Sequence, residues 1–170
     1  MPGIRRLAHI DLEAFATNVA GASVLDARAD AYGHSLALIA PAAREAGVGS
    51  IVVSDDQDAV AARAAGFSSL HIGRLPVDVD ALGEAAYGLQ EGGTPVLTLV
   101  GEVIAIKHVG AGAGVSYGYT YRTEAPTCLA LIALGYADGI PRLASNRASV
   151  RVGTEVHPLV GRIAMDQFVV

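Results

Sequence analysis

The chain has 170 residues, 52% of them hydrophobic, with a mean hydropathy of +0.42 and a formal charge of −5. That length suits one good-sized domain or two small ones, and the apolar content excludes a disordered chain. The acidic balance, with basic residues scattered, gives no electrostatic ground for nucleic acid as a partner.

No apolar stretch approaches the ~20 residues of a membrane span. Asp11 and Glu13 come soon after Arg5 and Arg6 and interrupt any apolar run there, so no secretory leader is read. A single cysteine, Cys128, excludes an internal disulfide and lacks the spaced companions of a zinc site. Cytoplasm is the expected compartment. Cys128 opens an apolar run over residues 128–134 and is expected to be a small buried hydrophobe.

In chain order, residues 35–46 carry good helix formers and a helical apolar face, weakened by Pro41 and stopped by Gly47. Residues 50–53 predict a short buried strand. Asp55 or Asp56 caps a helix over residues 57–65, which Gly66 ends, and residues 70–72 form the next strand. Strand, helix, strand in alternation implies parallel β/α architecture. The pattern changes after Gly92-Gly93. Residues 95–109 alternate and are β-branched, and strands are expected at 116–121, 128–134, 149–152 and 158–170. The expected organisation is an α/β piece over residues 1–92 and an all-β piece over 93–170. The loop Gly110-Ala-Gly-Ala-Gly114 fails the spacing of a dinucleotide fingerprint and precedes no helix, so no phosphate loop is read there. His9, His71, His108 and His157 have no metal-ligand spacing, and no metal site is expected.

One stretch is chemically specific. Arg28-Ala-Asp-Ala-Tyr-Gly-His34 resembles the cofactor-anchoring motif of alanine racemases, Lys-Ala-Asp-Ala-Tyr-Gly-His, at six of seven positions. Gly83–Leu89, Gly114-Val-Ser-Tyr-Gly-Tyr-Thr-Tyr121, Gly135-Tyr-Ala-Asp-Gly139 and Val160-Gly-Arg-Ile-Ala-Met-Asp-Gln167 are similar to further signatures of that family, as are residues 10–18 and 52–67. The resemblance implies a (β/α)₈ barrel followed by an antiparallel β domain, a two-fold dimer, and pyridoxal phosphate (PLP) as an electron sink between two bases. It also implies two losses. Only about 90 residues precede the β domain, against the ~250 of a full barrel. The fold expected is therefore a truncated barrel remnant, and the β domain is expected to be incomplete at Val170.

By the same resemblance Tyr117 stands where the partner-facing tyrosine base stands, and Tyr32 where a tyrosine meets the cofactor phosphate. Tyr136, Arg142 and Arg162 fall on the substrate entrance, and Met165 on the residue that receives the substrate carboxylate. Arg28 occupies the place of the Schiff-base lysine. A guanidinium stays protonated and delocalised and cannot attack an aldehyde. Ala81 replaces the arginine expected at the pyridine nitrogen, Glu84 puts a carboxylate near the phosphate, and Asp26 stands where an apolar strand residue belongs, costly unless paired. The expected protein is an alanine racemase homologue without racemase activity and without covalently held PLP. One alternative is an interaction module that pairs with itself or with an intact racemase subunit. Another is an active isomerase holding PLP non-covalently, or on Lys107, the only lysine. On a plain strand reading, Tyr117, Tyr119 and Tyr121 simply share one sheet face.

Overall fold

The computed structural model describes residues 5–170, which divide into two compact units: residues 8–98, and residues 5–7 together with 99–170. The chain leaves the first unit between Thr98 and Leu99.

Residues 8–98 are built on parallel pairing. After strand β1 (Arg6–Ile10), Asp11 caps helix α1 (Leu12–Asn18), its carboxylate accepting from the Glu13 and Ala14 backbone N–H at 3.0 and 2.9 Å. Strands β2 (Val24–Asp26), β3 (Ser50–Val53) and β4 (Ser69–Ile72) form one sheet in the order β2-β3-β4, all parallel. β3, in the middle, is buried at all four positions, which is why Ile51, Val52 and Val53 read as an unbroken apolar run. Two helices cross between the strands. α3 (Leu36–Glu45) runs through Pro41 and buries Leu36, Ile39, Ala40 and Ala43, and α4 (Asp56–Ala64) buries Ala59 and Ala62 behind its cap, Asp55. On the free side of β2, Leu25 bridges in parallel to Leu82. The segment carrying the family-like Gly83–Leu89 motif thus lies beside β2.

Tyr87, in a 3-10 turn over Glu84–Tyr87, is the hub of this core. It is fully buried, stacks on Tyr32 at 4.9 Å, and packs against His34 and Phe15 at 4.8 and 5.9 Å between ring centroids. Its hydroxyl donates to the Asp26 carbonyl at 2.9 Å, and burial pushes the phenol's pKa up. Tyr87→Phe keeps the packing and orphans that buried carbonyl. A loss of about 1–2 kcal/mol is expected in urea unfolding, without change in the far-ultraviolet dichroism spectrum.

Residues 99–170 are antiparallel. β9 (Thr127–Ile132) lies between β6 (Val103–Val109) and β12 (Phe168–Val169), while β10 (Ser149–Val152) and β11 (Glu155–Pro158) form a hairpin. A small core gathers Ile132, Leu134, Leu159, Ile163 and Phe168. β5 (Leu97–Gly101) pairs with β1.

Three expectations change. Residues 116–121 are not a strand. β7 (Gly114–Val115) pairs with β8 (Tyr121–Arg122), and between them Ser116, Gly118 and Tyr119 take φ of 58°, 73° and 47°, which no strand accommodates. Tyr117, Tyr119 and Tyr121 therefore do not share a pleated face. Residues 158–170 are mostly loop: Pro158 ends β11, Gly161 at φ 80° turns the chain, Val160 makes a single bridge to Val169, and Phe168–Val169 pair as a short strand. Cys128 is exposed, not buried. It sits opposite His108 on β6, with its Sγ 3.0 Å from the His108 Nδ1, and of the run Ala130 packs partly buried against the core while only Ile132 and the residues after it are fully buried. Among the described residues no helix is long and apolar enough to cross a membrane, and no group of three or more His, Cys, Asp or Glu is placed to hold a metal ion.

Candidate functional site

Two clusters gather the residues singled out in the sequence, one in each unit.

The first stands at the C-terminal ends of the parallel strands, where open α/β sheets carry their ligands. Asp26 closes β2 with its side chain only 6% exposed. Arg28 grips it with two parallel bonds: Nε to Oδ1 at 2.9 Å and Nη2 to Oδ2 at 2.6 Å. The Arg28 backbone N–H adds a third bond to Oδ1 at 3.1 Å, and the Tyr32 hydroxyl donates to Oδ2 at 3.3 Å. Burial, the largest single influence, pushes the Asp26 carboxyl up, but the hydrogen bonds and charge of Arg28 together outweigh it and hold it below the usual range. The bond to Asp26 raises the Arg28 guanidinium in turn. Burial, followed by the negative charge of Asp26, pushes up the Tyr32 phenol.

Arg28 also reaches sideways. Its Nη1 donates at 3.2 Å to the carbonyl of Gly73, just past the end of β4, and the Ala29 N–H donates at 2.8 Å to the Ser54 hydroxyl, just past β3. The segment after β2 thus ties together the ends of all three strands.

This segment, α2 (Arg28–Gly33), is a left-handed turn. Ala29, Asp30, Ala31 and Tyr32 have φ of 53–56°, a conformation costing roughly 1–2 kcal/mol for each residue with a side chain. Local bonds offset that cost. The Asp30 carboxylate accepts from the Leu36 N–H at 2.7 Å, and the His34 Nδ1 sits 3.1 and 3.0 Å from the Ala31 and Tyr32 carbonyls. His34 is buried, and its Nε2 has no hydrogen-bond partner among the described residues. A cavity of about 570 Å³ in this unit is lined by Val24, Ala81 and Gly83 among others, and by none of Asp26, Arg28 and Tyr32.

The second cluster belongs to residues 99–170. The Tyr117 phenol is held on both sides: it donates to the Ile163 carbonyl at 3.2 Å and accepts from Arg142 Nη2 at 2.7 Å. The Arg162 guanidinium lies over its ring at 5.5 Å, and Arg142 lies over Tyr136 at 5.4 Å. Ser116 donates to the Arg162 carbonyl at 2.7 Å. Met165 joins through its backbone, its carbonyl accepting from the Ala137 N–H at 3.0 Å, and its side chain is exposed.

Residues 96–170 match the family model described as alanine racemase, C-terminal domain. The chain resembles the alanine racemases. The alanine racemase of Salinispora arenicola is 50% identical over 93 residues, 51% of this chain and 25% of that protein. That of Streptomyces coelicolor is 50% identical over 86 residues, 51% of this chain and 21% of that protein. The matched stretch thus spans about a quarter or less of the length of these curated relatives. Among solved structures, the alanine racemase from D-cycloserine-producing Streptomyces lavendulae superposes with a TM-score of 0.82 at 24% identity, covering 99% of this chain and 84% of that chain. That of Bartonella henselae, which carries covalently bound pyridoxal phosphate, gives 0.78 at 17%, covering 98% and 86%. At these identities the structural likeness is one of fold.

Set beside the racemase motifs, Arg28 and Tyr32 meet at Asp26, while Tyr117, Tyr136, Arg142, Arg162 and Met165 meet around the Tyr117 phenol. Ala81 lines the cavity that Arg28 does not, and Glu84 opens the turn that carries Tyr87. Sequence alone marks Asp26 and Arg28 separately and does not join them. The signal was present: an acid closing a strand and an arginine two residues on, both at positions where the racemase motif has something else. The role of Tyr87, inside Gly83–Leu89, was also missed.

Proposed function

We propose that this chain is an alanine racemase homologue that neither holds PLP covalently nor racemises alanine. One observation carries the reading: the side chain at the lysine position is a guanidinium bonded twice to a buried carboxylate. The donors around it do not fit the cofactor. Tyr32, which the resemblance assigns to a phosphate, gives its hydroxyl to Asp26, and the negative charges of Asp26 and Glu84 are both felt at that phenol.

Reading residues 8–98 as a shortened barrel agrees with the same proposal. The Leu25–Leu82 bridge fits a chain that skips an internal stretch, because the last strand of a closed barrel lies beside its first.

A second reading, an interaction module that pairs with itself or with an intact racemase, is favoured by the assembled Tyr117 cluster, which keeps its arginines and an exposed Met165. Incubating the purified chain with PLP, reducing with borohydride and mapping by mass spectrometry tests the main reading. No adduct is expected. One reduced PLP mapped to a single site, Lys107 included, overturns it.

A further inference from the structure

We infer that Asp26, and not the missing lysine alone, closes this position to covalent carbonyl chemistry: a lysine restored at position 28 is held by the Asp26 carboxylate as an ammonium, with no lone pair to offer an aldehyde. The inference rests on the reading that the unaltered chain forms no PLP adduct.

The geometry carries it. Asp26 is almost fully buried at the end of β2, and its carboxylate accepts from four donors. Two of them, the backbone N–H of residue 28 and the Tyr32 hydroxyl, survive any change of side chain at position 28. The carboxylate therefore stays ionised and stays in place when Arg28 is replaced. Arg28 Nη2 lies 2.6 Å from Oδ2, so a lysine, shorter by about one bond and only two residues away, reaches the same oxygen. The carbonyl of Gly73, which takes an Arg28 proton at 3.2 Å, is a second acceptor waiting for an ammonium.

Tyr32, on the same turn, and Tyr87, on the turn packed against it, are phenols whose pKa values are raised, so both are neutral. Glu84 adds negative charge, felt at Tyr32. Two influences then compete at the introduced amine. Partial burial favours the neutral form, and the carboxylate favours the charged one. At a direct ionic contact the carboxylate wins, and the amine titrates above the ordinary ~10.4 of a lysine. Its neutral fraction near pH 7.4 then stays below roughly one in a thousand.

The test uses R28K and D26N/R28K. Asparagine keeps the shape of Asp26, an acceptor oxygen for the backbone N–H, and an amide N–H that donates to the Tyr32 hydroxyl, while removing the charge. Each variant is reductively methylated with formaldehyde and cyanoborohydride from pH 7 to 11, with both amines followed by peptide mapping. Lys107 serves as the reference inside the same molecule.

In folded R28K the introduced amine is expected to titrate above its value in the same protein unfolded in urea. In D26N/R28K it is expected to titrate below the R28K value and to react at least tenfold faster at pH 8, with Lys107 unchanged. A folded R28K amine titrating at or below its unfolded value overturns the inference, because burial alone gives that sign. Equal rates in the two variants overturn it as well. The R28K comparison decides the matter even if the double variant fails to fold. A PLP adduct on the unaltered chain instead overturns the preceding reading, while the titration still judges Asp26.

Discussion

Arg28→Ala is expected to destabilise residues 8–98 by about 3 kcal/mol, whereas Asp26→Ala costs roughly 1 kcal/mol. The asymmetry follows from where the two charges sit. The Asp26 side chain is 6% exposed and that of Arg28 41%. Without Asp26, the guanidinium turns into water and keeps its hydration. Without Arg28, a buried carboxylate keeps only the backbone N–H and Tyr32 as partners, and the tie to Gly73 is lost. The estimate stands at the low end for a broken buried pair because the arginine is partly in solvent.

Acid distinguishes the two proteins. In the unaltered chain Arg28 holds the carboxyl below its usual range, so its contribution is fully present above about pH 4 and is lost as pH falls through the lower folded value. In Arg28→Ala burial is opposed only by the bonds from the residue 28 N–H and the Tyr32 hydroxyl, so the carboxyl titrates above its value in the unaltered chain. The deficit of that variant is therefore largest at neutral pH and narrows on acidification towards pH 4. Urea unfolding from pH 3.5 to 7.5 measures both curves. A deficit independent of pH means that the carboxylate is not the origin of the loss.

The same pair shows what a linear sequence displays and what it hides. The β3 run and the helix capped at Asp55 were legible because periodicity, cap residue and stop residue agreed locally. Tyr117–Tyr121 misled because alternation is also what an irregular turn with three aromatics produces. The decisive fact, positive φ at Ser116 and Tyr119, has no signature in those side chains. Cys128 misled because an apolar run does not say whether another layer covers it. The left-handed turn at 29–32 was invisible for the reason that Ser116 was: alanine and tyrosine rarely adopt it, and only contacts such as Asp30 with Leu36 and Tyr32 with Tyr87 sustain it here. The site was legible as motifs and illegible as chemistry. Arg28 reads as a deletion of function until its partner is seen, and then as half of a new structural element.

Gly135→Ala is expected to cost about 3 kcal/mol in residues 99–170 and to disperse the Tyr117 cluster. Gly135 has an ordinary extended φ of −149°, so backbone freedom is not what glycine supplies there. It supplies close approach, since a Cβ at this position overlaps the carbonyl oxygen of Met165 and crowds that of Ala164. The backbone has nowhere to retreat. The Tyr136 and Ala137 N–H groups donate at 3.0 Å to Ala164 and Met165, and the Gly135 N–H donates at 2.9 Å to Asp138. Adding the methyl breaks that clasp. Met165 separates from Ala137, and Arg142, which lies over the Tyr136 ring and donates to the Tyr117 phenol, loses its support. Gly139→Ala is the control. Its φ is +90° but nothing lies within 4 Å of an added Cβ, so only the conformational cost of about 1 kcal/mol is expected. Hydrogen exchange at Tyr136 and Ala137 reads the difference directly: protection disappears in Gly135→Ala and persists in Gly139→Ala. Equal loss in both variants means that the close approach at Met165 does not hold the cluster together.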